Sequence, residues 1–267
     1  MVADKPFVSI IIPTKNSSST FPCLLKSISK QKYARKEIIV VDNHSSDQTR
    51  EIALKWGANV LLVQCERSKA RNLGAKRARG EYLLFLDSDM ELSDGVIADC
   101  LHVVLTGGYG ACIIREISNG AGYWAEVRSL ERRTYEGGSP FETAVFFKKD
   151  AFTHVGGFNE NLVGFEDYDL QVRLEKADIR IGYSKTPIIH HEGKLILSKH
   201  LMKKRYYVRT GKDYIFGNKY RSLTQFLPIK YVFVRNWRIL KEKPACTVGI
   251  FILKSLETII GFLSIFG

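Results

Sequence analysis

Two carboxylates separated by one serine follow a hydrophobic run near the middle of the chain. The segment GEYLLFLDSDMEL places Asp87, Ser88 and Asp89 directly after the apolar residues 82–86. A continuous apolar run of this length is typical of a buried strand, so both carboxylates should lie at its carboxyl end. Because like charges at this spacing repel each other, a positive partner is expected. A divalent cation, Mg²⁺ or Mn²⁺, would fill that role with oxygen ligands.

Two earlier strand-like runs also end in polar residues. Residues 7–12 (FVSIII) lead into Pro13 and Thr14, and residues 37–41 (EIIVV) lead into Asp42. In open parallel sheets, ligands bind beyond the carboxyl ends of the strands. A carboxylate such as Asp42 can accept hydrogen bonds there from the donor edge of a base or from ribose hydroxyls. The sequence therefore predicts one site at one edge of a sheet, although Asp42 would also serve as a helix or turn cap.

Strand-like and helix-like segments alternate through the first part of the chain. This alternation predicts an α/β fold with a mostly parallel central sheet flanked by helices. The predicted strands are residues 7–12, 37–42, 59–63 and 81–86, and the predicted helices are residues 21–30, 47–56 and 67–79.

Four motifs together resemble those of a known enzyme family. The segments VSIIIPTKN, EIIVVDNHSSDQT, ARNLGAKRARGEYLLFLDSDMEL and GGFNENLVGFEDYDLQVRL are similar, in order and spacing, to the motifs of family 2 glycosyltransferases. These are inverting enzymes with the GT-A (nucleotide-diphospho-sugar transferase) fold, and the resemblance covers roughly residues 6 to 195. It implies a nucleotide-diphospho-sugar donor and a divalent cation. The later segment IIHHEGKLIL, followed by a Lys-rich Tyr-Tyr segment and an apolar tail, resembles archaeal-like members concerned with surface or lipid-linked glycans.

The resemblance implies roles for residues around the nucleotide. Pro13 and Thr14 would begin the nucleotide pocket, and Asp42 would contact the base. Arg71 and Asn72 match the family's ARN segment, which lies near the nucleotide. Arg71 would equally suit an exposed charge on a helix.

The resemblance also implies the metal ligands. Asp87 and Asp89, with Ser88 between them at the donor site, match the metal-binding Asp-x-Asp, and Asp89 is the stronger candidate for direct ligation. His190 matches a histidine that can complete the metal shell in related enzymes. A neighbouring pair such as His190 and His191 is also common in an ordinary polar loop.

The segment FEDYDL carries the expected catalytic base. Asp167 matches the position usually assigned to that base in the family, and Glu166 lies beside it. Inversion at the anomeric carbon requires a carboxylate that takes the proton of the attacking acceptor hydroxyl. Acids also favour the first turn of a helix because of its dipole, so helix capping remains an alternative for this pair.

Residues 115–142 are expected to be the least regular part of the chain, and the resemblance implies that they help to form the acceptor site. They contain glycines, aromatic residues and Arg128, Arg132 and Arg133. Arginines recognise phosphate, so these three would contact a polyprenyl phosphate or diphosphate acceptor. An ordinary surface excursion explains the composition equally well.

The excess positive charge is confined to one late segment. Residues 194–243 carry fourteen lysines and arginines but two acidic residues, which accounts for the net charge of +12. Basic residues interleaved with Tyr, Phe and Trp suit either nucleic acid or an anionic membrane surface. A solvated charged face is the simplest alternative. We divide the chain into a catalytic domain, residues 1–193, and a basic, aromatic and amphipathic helical tail, residues 194–267.

The last segment favours the membrane over nucleic acid. Residues 245–267 are strongly apolar, but Lys254 and Glu257 lie three apart near the middle and could pair on one face. Val248, Ile252, Leu256, Ile259, Leu263 and Phe266 form a stripe at helical spacing. A spanning helix tolerates such charges poorly, so a helix at the membrane interface is favoured over a span or a helix packed on the core.

Composition restricts the location and the rival functions. The five cysteines are scattered and the N-terminus lacks a secretory signal pattern, which predicts a cytoplasmic protein, peripheral on the inner membrane face. A nucleotidyltransferase would be expected to have a glycine-rich first loop, whereas this one reads PTKNSSST. A nucleic-acid-binding protein using residues 194–243 remains the main alternative, but it would leave the strand-end carboxylates unexplained. A silent glycan-binding relative would not need them. We expect a glycan or polyprenyl-phosphate-linked acceptor and no nucleic acid.

Overall fold

A computed structural model describes residues 5–226, 228 and 230–266, and the chain forms two compact units. The first unit comprises Met1–Arg115, Ala144–Glu160 and Asp169–Ile189. The second comprises Glu116–Thr143, Asn161–Tyr168 and His190–Gly267. The division predicted after residue 193 was based on composition; in the structure, the unit that contains the basic segment also takes in two earlier segments.

The strands and helices follow in chain order. The strands are β1 (Val8–Thr14), β2 (Lys36–Asp42), β3 (Asn59–Leu62), β4 (Tyr82–Phe85), β5 (Met90–Leu92), β6 (Ala111–Ile113), β7 (Glu116–Ala121), β8 (Ala144–Lys148), β9 (Ile181–Tyr183) and β10 (Ile188–Lys194). The helices are α1 (Phe21–Lys30), α2 (Thr49–Lys55), α3 (Arg67–Arg77), α4 (Val96–Gly107), α5 (Tyr123–Tyr135), α6 (Lys149–His154), α7 (Glu166–Lys176), α8 (Leu197–Thr210), α9 (Lys212–Gly217), α10 (Lys219–Phe226), α11 (Trp237–Leu240) and α12 (Pro244–Phe266), with a π-helical segment at Lys230–Arg235.

The first unit is built on a seven-stranded sheet with the order β3-β2-β1-β4-β8-β6-β9. Strand β8 runs antiparallel to both of its neighbours, and the other pairings in this sheet are parallel. The predicted α/β architecture with a mostly parallel sheet is therefore confirmed. The segments predicted as β1 to β4 and α1 to α3 are found within two residues of their predicted ends.

The central strands are continuous apolar runs because helices cover both faces of the sheet. Ile10 and Ile12 belong to one buried cluster with residues of α1, whereas Ile11 belongs to a second cluster with residues of α3. Successive side chains of a strand point to opposite faces, so both faces require apolar residues here. Helix α3 approaches β1 closely, since a Cβ on Gly74 would lie 2.4 Å from Cγ2 of Ile11.

The prediction that residues 115–142 are irregular was wrong for much of that segment, most of which lies in the second unit. It contains the six-residue strand β7 and the thirteen-residue helix α5. Gly122, which looked like a loop residue, has φ of +89° at the start of α5 and marks the beginning of the helix. Val127 and Leu130 of α5 pack in a buried cluster with Ile250 and Leu253 of α12.

Helix α12 has one buried face and one exposed face. On the buried face, Lys254 Nζ lies 2.6 Å from Glu257 Oε2, so the predicted pairing is confirmed. Val248, Ile259 and Leu263 of the predicted apolar stripe lie on the other side and are each more than half exposed, whereas the side chain of Phe266 lies outside the described part of the chain. By length and composition, Pro244–Ile265 is the one helix among the described residues that could cross a membrane, and a third of it is buried within the protein.

Candidate functional site

Polar side chains from three adjacent strands meet at one edge of the seven-stranded sheet. Thr14 at the end of β1 pairs in register with Asp42 at the end of β2. On the other side of β1, Leu86 N donates to Ile11 O at 3.1 Å, which brings the residues after β4 alongside. Parallel strands expose their carboxyl ends at the same edge, so Asp87 follows at that edge too. Pro13 lies within β1, opposite Val41.

Asp42 is held in one orientation by its neighbours. Its Oδ1 accepts hydrogen bonds from Thr14 Oγ1 at 2.8 Å and Ser45 Oγ at 2.5 Å, and its Oδ2 accepts from Ser45 N at 2.9 Å. The residue is 1% exposed. A carboxylate has about four acceptor directions, so these three bonds leave capacity for a ligand donor. Ser45 was missed by the sequence reasoning, although an Asp followed three residues later by Ser is a recognisable turn pattern.

The segment 87–89 has a positive partner within the first unit. Asp87 Oδ1 accepts from Arg71 Nη2 at 2.8 Å, and Arg67 Nη1 lies 3.7 Å from Asp87 Oδ2. The two arginines lie one turn apart on α3, and Arg71 is 6% exposed. Arg71 is thus a buried ion-pair residue rather than an exposed helix charge. The sequence reasoning missed Arg67, although the spacing of four residues could have signalled it.

The other two residues of the motif are partly exposed. Ser88 Oγ donates to Ser17 Oγ at 2.8 Å, which ties the motif to the loop after β1. Asp89 has an accessible side chain at the end of the turn. The donor set of two carboxylates around one serine matches the oxygen ligands that Mg²⁺ and Mn²⁺ prefer.

The Asn72 side chain holds the backbone of a distant segment in place through hydrogen bonds. Its Nδ2 donates to Phe158 O at 2.8 Å and to Glu160 Oε1 at 3.0 Å, and its Oδ1 accepts from Phe158 N at 2.9 Å. The amide therefore holds the segment that follows α6. The predicted nucleotide contact of Asn72 stays a prediction.

In the second unit, Glu166 and Asp167 begin α7 but differ in accessibility. Glu166 is 1% exposed, and its Oε2 accepts from Gly164 N at 2.8 Å. Asp167 is partly exposed. Burial, together with the negative charge of Asp167 next to it, raises the pKa of Tyr168 to about 12. Of the two acids, Asp167 is therefore the more accessible to solvent.

His190 lies in a charged cluster of the second unit. Its Nδ1 is 3.3 Å from Arg132 Nη1 and 3.4 Å from Glu116 Oε2. Arg132 also pairs with Glu116 at 2.5 Å and with Glu192 at 2.7 Å. The role of His190 as a metal ligand stays a prediction.

The arginines expected to contact acceptor phosphate are engaged with carboxylates. Besides Arg132, Arg128 Nη1 lies 2.5 Å from Glu131 Oε2, and Arg133 Nη1 lies 2.8 Å from Glu242 Oε2. A phosphate would have to displace these partners. This arrangement therefore does not support the expectation that all three arginines contact an acceptor phosphate.

Comparison of sequences places the part of the chain that carries the strand-end motifs in a known family. The family model described as Glycosyl transferase family 2 matches residues 9–159, more than half of the chain. A PGL/p-HBAD biosynthesis glycosyltransferase of Mycobacterium bovis is 29% identical over 184 residues, which cover 63% of this chain and 69% of that protein. An uncharacterized glycosyltransferase of Haemophilus influenzae is 26% identical over 62% of this chain and 61% of its own length. The 4,4'-diaponeurosporenoate glycosyltransferase of Staphylococcus haemolyticus is 40% identical, but over 33% of this chain and 25% of that protein. The matched regions thus span between a quarter and about two thirds of these relatives.

Solved structures show the same fold. A mannosyltransferase from Pyrobaculum calidifontis, in complex with GDP-Man and Mn²⁺, has a TM-score of 0.68 at 16% identity over 98% of this chain and 88% of its own. Staphylococcus aureus TarS, residues 1–349, in complex with UDP-GlcNAc, has a TM-score of 0.58 at 19% identity over 97% of this chain and 90% of its own. These likenesses confirm the predicted GT-A-type architecture, and the family match confirms the resemblance drawn from the motifs. The chain belongs to glycosyltransferase family 2.

Proposed function

We propose that the protein is a metal-dependent, inverting glycosyltransferase. It moves a sugar from a nucleotide-diphosphate donor to a hydroxyl or phosphate of a glycan or polyprenyl-phosphate-linked acceptor. The observation that supports this most directly is the common sheet edge of Thr14, Asp42 and Asp87. The family match supports the transfer reaction, while the donor, the acceptor and the metal belong to the proposal.

Asp42 is the proposed recognition residue for the base. Its carboxylate is already oriented by Thr14 and Ser45, so little side-chain entropy is lost when a ligand binds. The donor is a UDP- or GDP-linked sugar, as in the complexes of the structural neighbours. Pro13 and Arg71 complete the surroundings of the nucleotide in this proposal.

Asp89, with Asp87, is proposed to hold a divalent cation. The oxygen-rich donor set fits Mn²⁺ or Mg²⁺, and a neighbour with this fold was solved with Mn²⁺. When bound, such an ion would stabilise negative charge on a departing nucleoside diphosphate. Asp87 faces Arg71 and Arg67, and we assign the more direct contact to Asp89, as the match to the metal-binding Asp-x-Asp implies.

Asp167 is proposed to act as the general base. It is partly exposed, whereas Glu166 beside it is buried and bonded to the backbone. Where the acceptor is a hydroxyl, a carboxylate at hydrogen-bond distance takes its proton as the new glycosidic bond forms and the nucleoside diphosphate departs. Inversion needs no nucleophilic enzyme residue, so one base is sufficient.

The donor and the metal are tested together by isothermal titration. UDP, GDP, CDP and dTDP are each titrated with Mn²⁺ and with EDTA, and the best ligand is repeated with Asp89→Ala. One nucleotide should bind in a metal-dependent way and lose affinity strongly in Asp89→Ala. Asp150→Ala, an exposed acid on α6, is the matched control and should bind as the unmodified protein does. Binding of no nucleotide by the folded protein would overturn the assignment of Asp87 and Asp89.

We also propose that the protein is cytoplasmic and lies peripherally on an anionic membrane surface. Phe251 and Phe262 of α12 are 64% and 51% exposed, next to the exposed stripe of Val248, Ile259 and Leu263. Most basic side chains of residues 194–243 are exposed as well. A basic segment beside an exposed apolar helix face is the chemistry of an interfacial helix, in which each nearby Lys or Arg contributes about 1 kcal/mol.

Vesicle flotation tests the membrane proposal with point variants. The full chain should float with anionic vesicles and less with neutral ones, and Phe251→Glu/Phe262→Glu should remove most of this binding. Leu54→Glu, at an equally exposed apolar residue on α2, is the control and should float normally. Flotation of the double variant equal to the unmodified protein would contradict the proposal, and salt-sensitive binding to unrelated RNA or DNA in its place would favour the nucleic-acid alternative.

A further inference from the structure

The loop that leads to Asp167 has a backbone conformation that needs outside support. Phe165 has φ of +65°, in the left-handed region that a bulky side chain rarely adopts, and Gly164 before it has φ of +100°. Such a conformation persists where the surroundings over-determine it, and it concentrates at functional sites. The question is therefore which residues hold this loop, which we define as residues 161–165.

The support comes from the junction of α8 and α9, within the same unit. We call Tyr207, Thr210, Gly211 and Tyr214 the α8–α9 corner. Thr210 Oγ1 donates to Val163 O at 2.8 Å. The Phe165 ring stacks on the Tyr214 ring with centroids 5.4 Å apart and an interplanar angle of 17°.

Two glycines, one on each side, make this contact possible. A Cβ on Gly164 would lie 2.6 Å from Cγ of Tyr207. A Cβ on Gly211 would lie 2.3 Å from Cδ2 of Phe165. Both distances are shorter than a Cβ contact can be, so each glycine accepts an aromatic side chain of the other segment. The two segments interlock through shape as well as through one hydrogen bond.

The contact extends to the first turn of α7, where the proposed base lies. The Tyr168 ring is 6.5 Å from the Tyr214 ring and 6.2 Å from the Phe165 ring. Glu166 accepts from Gly164 N, which closes the turn between the loop and the helix. Along the chain, Asp167 thus lies between Phe165 and Tyr168, and both of these rings lie near the ring of Tyr214. Tyr214 is itself 3% exposed.

We propose that the α8–α9 corner is a positioning element for Asp167. The corner belongs to residues 194–243, a segment whose sequence indicated only positive charge and contact with a membrane. This inference rests on the proposed role of Asp167 as the base. In this proposal the corner acts through the loop and the first turn of α7, which together hold the carboxylate in one place. A displacement of a reacting group by about 1 Å can lower a rate by about 100-fold.

The first experiment measures the loop directly. Amide hydrogen exchange of the peptide covering residues 161–170 is compared between Gly211→Ala and Gly217→Ala. Gly211 precedes the short helix α9 as its N-cap and Gly217 ends that helix, but a Cβ on Gly217 would meet no atom within 4 Å. Gly211→Ala should exchange at least about tenfold faster in this peptide, whereas Gly217→Ala should match the unmodified protein. Equal exchange in both variants would overturn the proposal.

The second experiment measures the consequence for catalysis. The probe is nucleoside diphosphate release from UDP-GlcNAc or GDP-Man, with water as the acceptor. Gly211→Ala should lower kcat by about 10- to 100-fold and leave the donor KM unchanged, because the donor residues lie in the first unit. A fall in kcat with an equal rise in donor KM would indicate general damage to the protein and would overturn a positioning role.

A pair of variants at Tyr214 covers the case in which Gly211→Ala does not fold. Tyr214→Phe keeps the stacked ring and should keep exchange and kcat near those of the unmodified protein. Tyr214→Ala should reproduce the fast exchange and the low kcat. Asp167→Asn separates the two proposals: if it retains full turnover, the assignment of the base fails. If Asp167→Asn is inactive while Tyr214→Ala behaves normally, only the positioning role fails.

Discussion

At the scale of single residues, Asp42 depends on its charge more than on its shape. Three hydrogen bonds from Thr14 and Ser45 point at its two oxygens. Asp42→Asn keeps the size but replaces one acceptor oxygen by a donor, which then faces another donor. Hydrogen bonds to charged groups contribute about 1.5–3 kcal/mol, so nucleotide affinity should fall by about 10- to 100-fold. Titration of the best-binding nucleotide measures this, with Asp150→Asn as the control, and unchanged affinity would exclude Asp42 from the site.

Substitution of Arg71 should change the affinity for Mn²⁺ and the affinity for the nucleotide in opposite directions. It lies 2.8 Å from Asp87 and its guanidinium is 5.1 Å from the Phe158 ring centroid. Arg71→Met removes a positive charge that competes with a cation at Asp87, while Met retains apolar contact. Mn²⁺ alone should then bind about tenfold more tightly, whereas nucleotide binding should weaken. Arg77→Met, on the exposed side of the same helix, should change neither value. Weaker Mn²⁺ binding in Arg71→Met would show that the arginine supports the cation instead.

These residues show how far a sequence alone can predict a site. Asp42 and Asp87 could be found because they follow recognisable strands, and strand ends converge in any parallel sheet. Their partners could not be found in the same way. Ser45 reaches Asp42 through a turn in which His44 has φ of +48°, and Arg71 reaches Asp87 through the packing of α3 on the sheet. The turn from Asp42 to Ser45 has a local sequence signal, whereas the pairing of Arg71 with Asp87 depends on three-dimensional placement that no local pattern specifies.

At the scale of elements, a buried group of charges joins α12 to α5 and α8. Lys254 of α12 pairs with Glu131 of α5 and with Glu257, and Glu257 Oε1 lies 2.7 Å from His200 Nε2 of α8. Glu131 is fully buried and Glu257 is 5% exposed. Lys254 and Glu257 could be predicted as a pair from their spacing, but their partners on other helices could not. The helical pattern of α5 was hard to recognise in the sequence because the buried face of this helix carries the charged residue Glu131.

Removal of one member of this group should destabilise the protein strongly. Glu131→Gln leaves Lys254 and Arg128 in a buried site without their shared carboxylate. Breaking a buried pair in this way costs about 3–5 kcal/mol of unfolding free energy. Glu126→Gln is the matched control, since its pair with Lys243 is exposed on both sides and should contribute little to stability. Urea unfolding at neutral pH measures both variants, and equal small losses would mean that the buried group carries little stability.

The same buried group of charges should make the free energy of unfolding depend on pH. Burial alone would raise the pKa of Glu131, but the charges of Arg128 and Lys254 outweigh it and lower the pKa to about 2. A carboxylate with a lowered folded-state pKa contributes stability above its ordinary value of 4.5, and this is lost as pH falls toward about 2. The unmodified protein should therefore lose more unfolding free energy across this window than Glu131→Gln. Parallel pH profiles of the two proteins would contradict the assignment.

At the scale of the whole chain, the basic and apolar segment after residue 193 has two separable roles. Its outer surface is proposed to contact a membrane through exposed residues such as Phe251 and Phe262. Its inner contacts complete the second unit through α8 and α12 and hold the loop before Asp167. Composition could indicate the first role because charge and hydropathy are additive along a sequence. The second could not be predicted, because it depends on two glycines and one aromatic stack that meet only in the folded chain.

These two roles predict different outcomes for deletion and for surface substitution. Deletion of residues 194–267 removes the α8–α9 corner with the membrane face, so it should abolish both vesicle flotation and donor turnover in solution. Phe251→Glu/Phe262→Glu leaves the corner and the buried charges in place, so it should abolish flotation alone. Turnover is measured without vesicles, as nucleoside diphosphate release from the donor that binds. If the double variant lost turnover in solution as well, the exposed face would be part of the catalytic structure. If the deletion retained full turnover, the first unit with residues 116–143 and 161–168 would hold the base without the corner, and α8 and α9 would serve attachment alone.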